Sequence, residues 1–308
     1  MKIIVTGGAG FIGSHIVDAY IKEGHKVVVI DNLFTGFRKN VNPKAKFYKA
    51  DIRDRRAIDR IFKKEKPDVV NHHAAIVEVV KSLRDPIPTM DVNVLGMTNI
   101  LAAFKEHGAL KRRKVIFSSS CAVYGTPKHV PTPEQEPVGP QSPYGLSKLL
   151  GEEIVEFYAS QHGLKYTIFR YANVYGPRQN PKGEAGVTAI FSGLMKAKKR
   201  PTIFGDGSKA RDYVFVGDIV RANVLALKKG DNVTVNLGTG TTTTDQEVFD
   251  TIAYATKFDE EPVYAPHRSG EAYRVALRSE KAKKHLGWAA RVAFEEGIRQ
   301  TVAALKNA

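Results

Sequence analysis

One cysteine, Cys121, occurs in 308 residues. No internal disulfide can form, so the fold rests on its core, and a disulfide-stapled secreted scaffold is excluded. No stretch approaches the roughly 20 apolar residues that a membrane-spanning helix needs. The opening Met1-Lys2-Ile3-Ile4-Val5 runs straight into glycines and lacks the layout of a signal peptide. A cytoplasmic protein with no membrane association is therefore expected. Acidic residues are also in deficit: 32 stand against 47 lysines and arginines, giving a formal net charge of +15 and a pI near 9.7.

That charge invites a nucleic-acid reading. The basic residues, however, fall in short, scattered clusters at 53–66, 111–114, 196–200 and 281–284. Within the first, Ala57, Ile58, Ile61 and Phe62 follow helical spacing, so the charges form the solvated face of an amphipathic helix. No paired Cys/His set, basic zipper or RNP-like aromatic strand accompanies them, and no specific nucleic-acid partner is expected. Part of the excess can serve an anionic small ligand, because a cleft of one sign focuses the opposite charge.

What is present is an ordinary folding chain, with 43% hydrophobic and 26% charged residues. Apolar strand-like runs at 2–6, 26–30, 46–49, 68–72, 114–118 and 165–170 alternate with helical spacing at 11–21, 54–64, 90–107 and 143–162. This order predicts an α/β fold, a doubly wound parallel sheet of Rossmann type. Beyond Tyr175 the pattern turns irregular, and a smaller α/β C-terminal cap is expected there. Runs at 214–216 and 233–237 are expected to return to the main sheet. The division is then 1–170, also receiving about 212–238, for the nucleotide-binding domain, with 171–211 and 239–308 forming the substrate-binding cap.

Between the first strand and the first helix stands Thr6-Gly7-Gly8-Ala9-Gly10-Phe11-Ile12-Gly13. Gly8, Gly10 and Gly13 satisfy the G-x-G-x-x-G spacing, in which glycines let the backbone approach a pyrophosphate lying on a helix N-terminus. Asp31 follows Gly13 by 18 residues, at the end of the second strand. An acid there binds ribose hydroxyls and disfavours an extra phosphate, so the expected cofactor is NAD rather than NADP, although Arg38 and Lys39 stand nearby.

Ser142-Pro143-Tyr144-Gly145-Leu146-Ser147-Lys148 opens a helix, with Ser142 as N-cap and Pro143 in the first turn. Tyr144 and Lys148 are i and i+4 on one face. A cation beside the phenol favours its ionised form, which suits removal of a hydroxyl proton. Ser118-Ser119-Ser120 ends the fifth strand, at the edge where such sheets bind ligands. Adjacent His72 and His73 point to opposite faces of a strand, and no metal is expected. Cys121 reads as a small buried filler, and Gly238-Thr239-Gly240 as a strand-end turn in the cap.

These motifs resemble those of the extended short-chain dehydrogenase/reductase family, and within it the UDP-glucose (UDP-galactose) 4-epimerase group. The similarity runs nearly end to end. It includes the glycine run, Asp31-Asn32-Leu33, Asp51-Ile52-Arg53, His72-His73-Ala74-Ala75, the serine run through Cys121-Ala122-Val123-Tyr124-Gly125, and the Tyr144–Lys148 segment. In the cap it includes residues 170–178, Phe204-Gly205-Asp206-Gly207, Arg211-Asp212-Tyr213 and Leu286-Gly287-Trp288. The resemblance implies an NAD-dependent isomerase of galactose metabolism that inverts carbon 4 of a UDP-hexose through a transient 4-keto sugar. It places Gly7, Gly10, Phe11, Ile12, Gly13, Asp31 and Asn32 around the cofactor. Asp51 and Ile52 would flank the adenine, and Ala74, Ala75 and Asn93 would line the groove. Ser120 would bond the sugar 4-hydroxyl, Tyr144 would be the base and Lys148 would hold the nicotinamide ribose. Asn173, Arg211 and Arg268 would grip the UDP diphosphate, and Glu271 the uridine ribose. A homodimer built from the Tyr144 helix and the preceding long helix is also implied.

Relatives that dehydrate or decarboxylate carry an acid after the strand-end serine; here Cys121-Ala122 follows, which argues for epimerisation alone. UDP-glucuronate or UDP-N-acetylhexosamine 4-epimerisation is the alternative, although Gly183-Glu184-Ala185-Gly186 resembles the hexose enzymes. Val275, of intermediate size, stands where the pocket around the sugar 2-substituent is set. A non-catalytic NAD-sensing or nucleic-acid-binding relative would typically lack the Tyr–Lys pair. Arg278 departs from the aspartate usual at its position.

Overall fold

Apolar runs without polar alternation form strands buried on both faces. In the computed structural model, which describes residues 1–109, 113–181, 186–267 and 273–305, these are β1 (Lys2–Thr6), β2 (Lys26–Asp31), β3 (Lys46–Lys49), β4 (Val69–His72), β5 (Lys114–Ser120) and β6 (Lys165–Tyr171). With Val233–Leu237 they make one parallel sheet in the order Val233–Leu237, β6, β5, β4, β1, β2, β3. The chain winds outward from β1 in one direction and then in the other. A crevice is left at the carboxyl end of β1, where the connections part.

Strand alternation divides the core. Ile3, Val5, Val29 and Phe169 face helices Phe11–Lys22 and Val216–Ala226, packing on Val17, Tyr20, Ile219 and Ala222. Ile4, Val28, Val70 and Phe117 face helices Arg55–Glu65 and Met97–His107, packing on Ile58, Phe62, Ile100 and Phe104. The amphipathic segment rich in arginine and lysine thus buries Ile58, Ile61 and Phe62 and leaves its charges in solvent. A third cluster, around Tyr175, Phe215, Phe249 and Ile298, forms the cap core. No helix among the described residues is long and apolar enough to cross a membrane.

Two expectations need correction. Residues 214–216 do not rejoin the main sheet: Tyr213–Phe215 pairs with Asn173–Tyr175 in a separate ribbon, and Val216 begins a helix. Val233–Leu237 already occupies the outer edge of β6, and Tyr175, Tyr213 and Phe215 gather instead with Phe294. The helix expected over 90–107 is interrupted. A wide π-helical turn, Asp91–Gly96, separates Ile87–Met90 from Met97–His107 and turns Asn93 inward.

Beneath the end of β5 lies a buried polar network. Arg170 grips the Glu152 carboxylate with Nε at 3.0 Å and Nη2 at 2.6 Å, while Ser119 donates to the same carboxylate. The other guanidinium nitrogen reaches Tyr124 Oη at 2.9 Å, and Tyr124 donates to Asn236 at 2.8 Å. Burial pulls the Arg170 guanidinium toward neutrality, but its bonds to Glu152 outweigh that and hold it charged. Glu152→Ala strands this cation, so it should lower the unfolding free energy by about 3–5 kcal/mol in denaturant titrations. A loss below about 1 kcal/mol would show that the pair does not tie the sheet to the helix.

Candidate active site

The crevice is lined first by the turn after β1. Gly7 has φ +71, and a Cβ there would lie 2.7 Å from the Ala74 backbone nitrogen, so only glycine lets β1 and β4 end side by side. A Cβ on Gly13 would sit 2.2 Å from Gly7 O, whereas one on Gly10 would meet only Gly7 O, at 3.2 Å. Gly8 does something else: it faces the Val29 side chain in the core. The turn is therefore built on Gly7, Gly10 and Gly13, one residue out from the first position read from the pattern. Helix Phe11–Lys22 starts at Gly10 with no side-chain cap and no acid in its first turn, which leaves amide donors and positive dipole toward the crevice. A dinucleotide diphosphate fits this cradle, with Phe11, Ile12 and Gly13 supplying the first-turn amides.

Asp31, at the end of β2, accepts from Ala9 N at 3.0 Å and Leu33 N at 2.8 Å, bracing the glycine turn. Asp51 takes three bonds from Arg53, from its backbone N at 2.9 Å and its guanidinium at 3.0 and 2.8 Å, and one from Asn32 at 3.1 Å. The Arg53 bonds hold its carboxyl at about 2. Ile52 is buried against Gly96. On the opposite wall Ala74 N donates to Thr6 Oγ1 at 3.3 Å, and Ala75 follows it. The Asn93 amide is fully engaged: Oδ1 takes Ile76 N at 2.8 Å, and Nδ2 donates to Ile76 O and Ser147 Oγ, each at 2.9 Å. It ties the groove wall to the Tyr144 helix. Arg38 lies 4.8 Å over the Phe47 ring.

Helix Pro143–His162 begins as its sequence dictates, Ser142 accepting from Gly145 N at 3.1 Å and Pro143 standing in the first turn. Lys148 is buried, with Nζ donating to Ser118 O at 2.8 Å and lying 5.9 Å from the centre of the Tyr144 ring. Burial pushes the Tyr144 phenol up to about 12, while a hydrogen bond from Ser120 pulls the other way. Burial also draws Lys148 down to about 8, against the opposing charge of Glu152 one turn along. The structure thus brings Ser120, Tyr144 and Lys148 together at the end of β5. His72 bonds Thr6 Oγ1 at 2.8 Å, His73 stacks on Tyr171, and burial holds both near 3 and so neutral. Among the described residues no three metal-ligating side chains converge. Cys121 is partly buried, and desolvation pushes its thiol up to about 11.

On the cap side Asn173 opens the strand that continues from β6. Arg211 donates to Ala210 O at 3.0 Å and Tyr273 O at 3.1 Å, and its charge reaches Cys121 beside Ser120. Arg268, Glu271 and the loop residues Gly183, Glu184 and Ala185 lie outside the described residues. Val275 is buried and pairs with Arg211, while the Arg278 side chain is exposed. The Gly238-Thr239-Gly240 turn wraps the buried Asp212 carboxylate, which accepts from Thr239 N, Thr239 Oγ1, Gly240 N and Leu277 N. Sequence reasoning singled out neither this tie nor the Glu152–Arg170 pair. Their traces were the Gly238-Thr239-Gly240 turn, and Arg170 and Asp212 within segments quoted for resemblance alone.

A parallel sheet with a glycine-lined crevice and a buried Tyr–Lys pair defines a dinucleotide-binding protein equipped to move a hydroxyl proton. A model of the NAD dependent epimerase/dehydratase family matches residues 3–238, and the chain belongs to that family. It is 47% identical over 306 residues to the putative UDP-glucose 4-epimerase of Methanocaldococcus jannaschii, covering 99% of this chain and 98% of the relative. Two solved structures are similarly close. One is a UDP-glucose 4-epimerase of Thermotoga maritima with UDP-glucose, at TM-score 0.95 and 46% identity, covering 100% of this chain and 99% of that one. The other is a UDP-glucose 4-epimerase of Thermus thermophilus in complex with NAD, at TM-score 0.94 and 40% identity, covering 100% of both chains.

The raised Tyr144 phenol can be checked by NMR of Cζ-labelled tyrosine, assigned with Tyr144→Phe. At pH 10, where a free tyrosine is about half ionised, cofactor-stripped protein should show Tyr144 still protonated. Adding NAD should move its ionisation to lower pH. Half ionisation near 10 in the stripped protein would contradict the described environment.

Proposed function

We propose that this chain is an NAD-dependent isomerase that inverts carbon 4 of a UDP-hexose, interconverting UDP-glucose and UDP-galactose through a transient 4-keto sugar. The observation that carries the reading is the grouping of Ser120, Tyr144 and Lys148 at the carboxyl end of β5, beside a cradle only glycines can form. The relatives' names support the same substrate class. In this reading residues 1–170 with about 212–238 hold the cofactor, and 171–211 with 239–308 hold the sugar nucleotide.

NAD, held by the first-turn amides of Phe11, Ile12 and Gly13 and by Lys148 at its ribose, would supply reversible hydride-transfer chemistry. Tyr144 takes the proton of the 4-hydroxyl and later gives it back, while Ser120 donates its hydroxyl hydrogen to that sugar oxygen. The Lys148 ammonium lowers the cost of the phenolate and, in its buried place, orients the nicotinamide ribose. Asn173, Arg211 and Arg268 grip the diphosphate and Glu271 the uridine ribose, arginine forks being suited to phosphate oxygens. The hexose is held loosely enough to turn over between the two hydride transfers. Cys121-Ala122 follow Ser120, so no acid directly follows the strand-end serine to take a proton from a second carbon. Exposed Leu95 and Ile87 ahead of the long helix, with Leu146 and Phe157 on the Tyr144 helix, support a homodimer through these helices.

Purified protein incubated with UDP-galactose, without added NAD, should yield UDP-glucose on anion-exchange chromatography. Tyr144→Phe should lower turnover by about 10²–10⁴-fold while UDP binding, measured by calorimetry, stays near that of the parent. Normal turnover of Tyr144→Phe, or conversion of UDP-glucuronate or N-acetylated sugars only, would overturn the assignment.

A further inference from the structure

Two segments leaving the strands on either side of β1 meet through their side chains. β2 and β4 flank β1 in the sheet, so residues 32–37 and 74–84 rise on either side of the glycine turn. The first segment is pinned beneath. Asp31 holds Leu33 N, Phe37 N donates to Ala9 O at 3.0 Å, and a Cβ on Gly36 would press within 2.9 Å of the Ala9 carbonyl. Held at both ends, the segment turns Phe34 outward, and the residue is 66% exposed. A large aromatic displayed by a fixed loop buries nothing of the core. From the other side comes helix Val79–Arg84, whose Ser82 Oγ accepts from Tyr144 N at 3.2 Å. Its Lys81 ammonium lies 5.8 Å from the centre of the Phe34 ring and 3.1 Å from Glu78. The Phe34–Lys81 contact therefore joins the segments that follow the two strands flanking β1, whose own turn carries Gly7, Gly10 and Gly13.

We propose that Phe34 and Lys81 form a clasp that retards escape of the bound dinucleotide. This rests on the NAD reading given above, and it deepens it. An epimerase regenerates its cofactor in place, so loss of the reduced form between the two hydride transfers would strand the keto sugar. The ring closes the crevice mouth with apolar surface, and the ammonium is held at the same point by the ring face and by Glu78, where it also favours a diphosphate. Both residues sit outside the core, so replacing them should leave the fold intact.

The test is the dissociation rate of NADH. Protein loaded with NADH is diluted into excess NAD, and the decay of nicotinamide fluorescence is followed. Phe34→Ala and Lys81→Met should each speed release roughly two- to five-fold, the range expected for loss of one exposed cation–π contact. The double variant should be no faster than the faster single, because both remove the same contact. Phe34→Trp, which keeps a ring face, should release at or below the parental rate, and thermal midpoints should not move. Parental release rates in both single variants, or effects that simply add in the double, would overturn the clasp. A parent protein that binds no dinucleotide would instead refute the cofactor reading itself.

Discussion

An ammonium buried at the carboxyl edge of a parallel sheet is the constraint around which this site is arranged. Lys148 is 5% exposed, and desolvation works against its charge. The charge persists because its surroundings answer it. Ser118 O accepts from it, the Phe117 and Tyr144 rings lie at 5.2 and 5.9 Å, and Glu152 stands one turn along the same helix. Glu152 is itself fixed by Arg170 and Ser119. Burial thus works on both partners of the pair, keeping the phenol protonated and lowering the ammonium, while the Ser120 hydrogen bond favours the phenolate and Glu152 favours the cation.

The sheet order places the other components around that ammonium. Because the chain parts on either side of β1, the loops after β2 and β4 stand over the same crevice as the serine run at the end of β5. Gly7 lets the ends of β1 and β4 come within backbone contact, and the uncapped start of the first helix faces the gap. Asn93, through Ile76 and Ser147, links the groove wall to the helix that carries Tyr144 and Lys148. Asp212 plays the matching part in the cap, drawing the Gly238-Thr239-Gly240 turn and Leu277 to the strand that bears Arg211. The crevice side and the cap side are each held by one buried polar residue whose bonds reach across distant segments.

The parts legible in the sequence were those with local chemical logic. Continuous apolar runs gave the strands, and Ser142-Pro143 gave the start of the Tyr144 helix, because a cap and a first-turn proline act within four residues. The glycine turn was found; the spacing pattern took Gly8 as its first glycine where the resemblance named Gly7, and only φ and the approach of Ala74 distinguish these adjacent residues. The break at Asp91–Gly96 has no composition signal; it accompanies an Asn93 side chain bonded to the distant Ile76 and Ser147. Residues 214–216 look like any buried strand, and their neighbour is decided by which segment already holds the edge of β6. The Glu152–Arg170 and Asp212 ties join residues far apart in sequence, which no periodicity records.

The central claim is that one hydride leaves carbon 4 and returns to the same carbon within a closed site. UDP-galactose deuterated at carbon 4, incubated in ordinary water without added NAD, tests it directly. The account predicts UDP-glucose that retains deuterium at carbon 4, read by NMR and mass spectrometry. Product carrying a solvent proton there would contradict it.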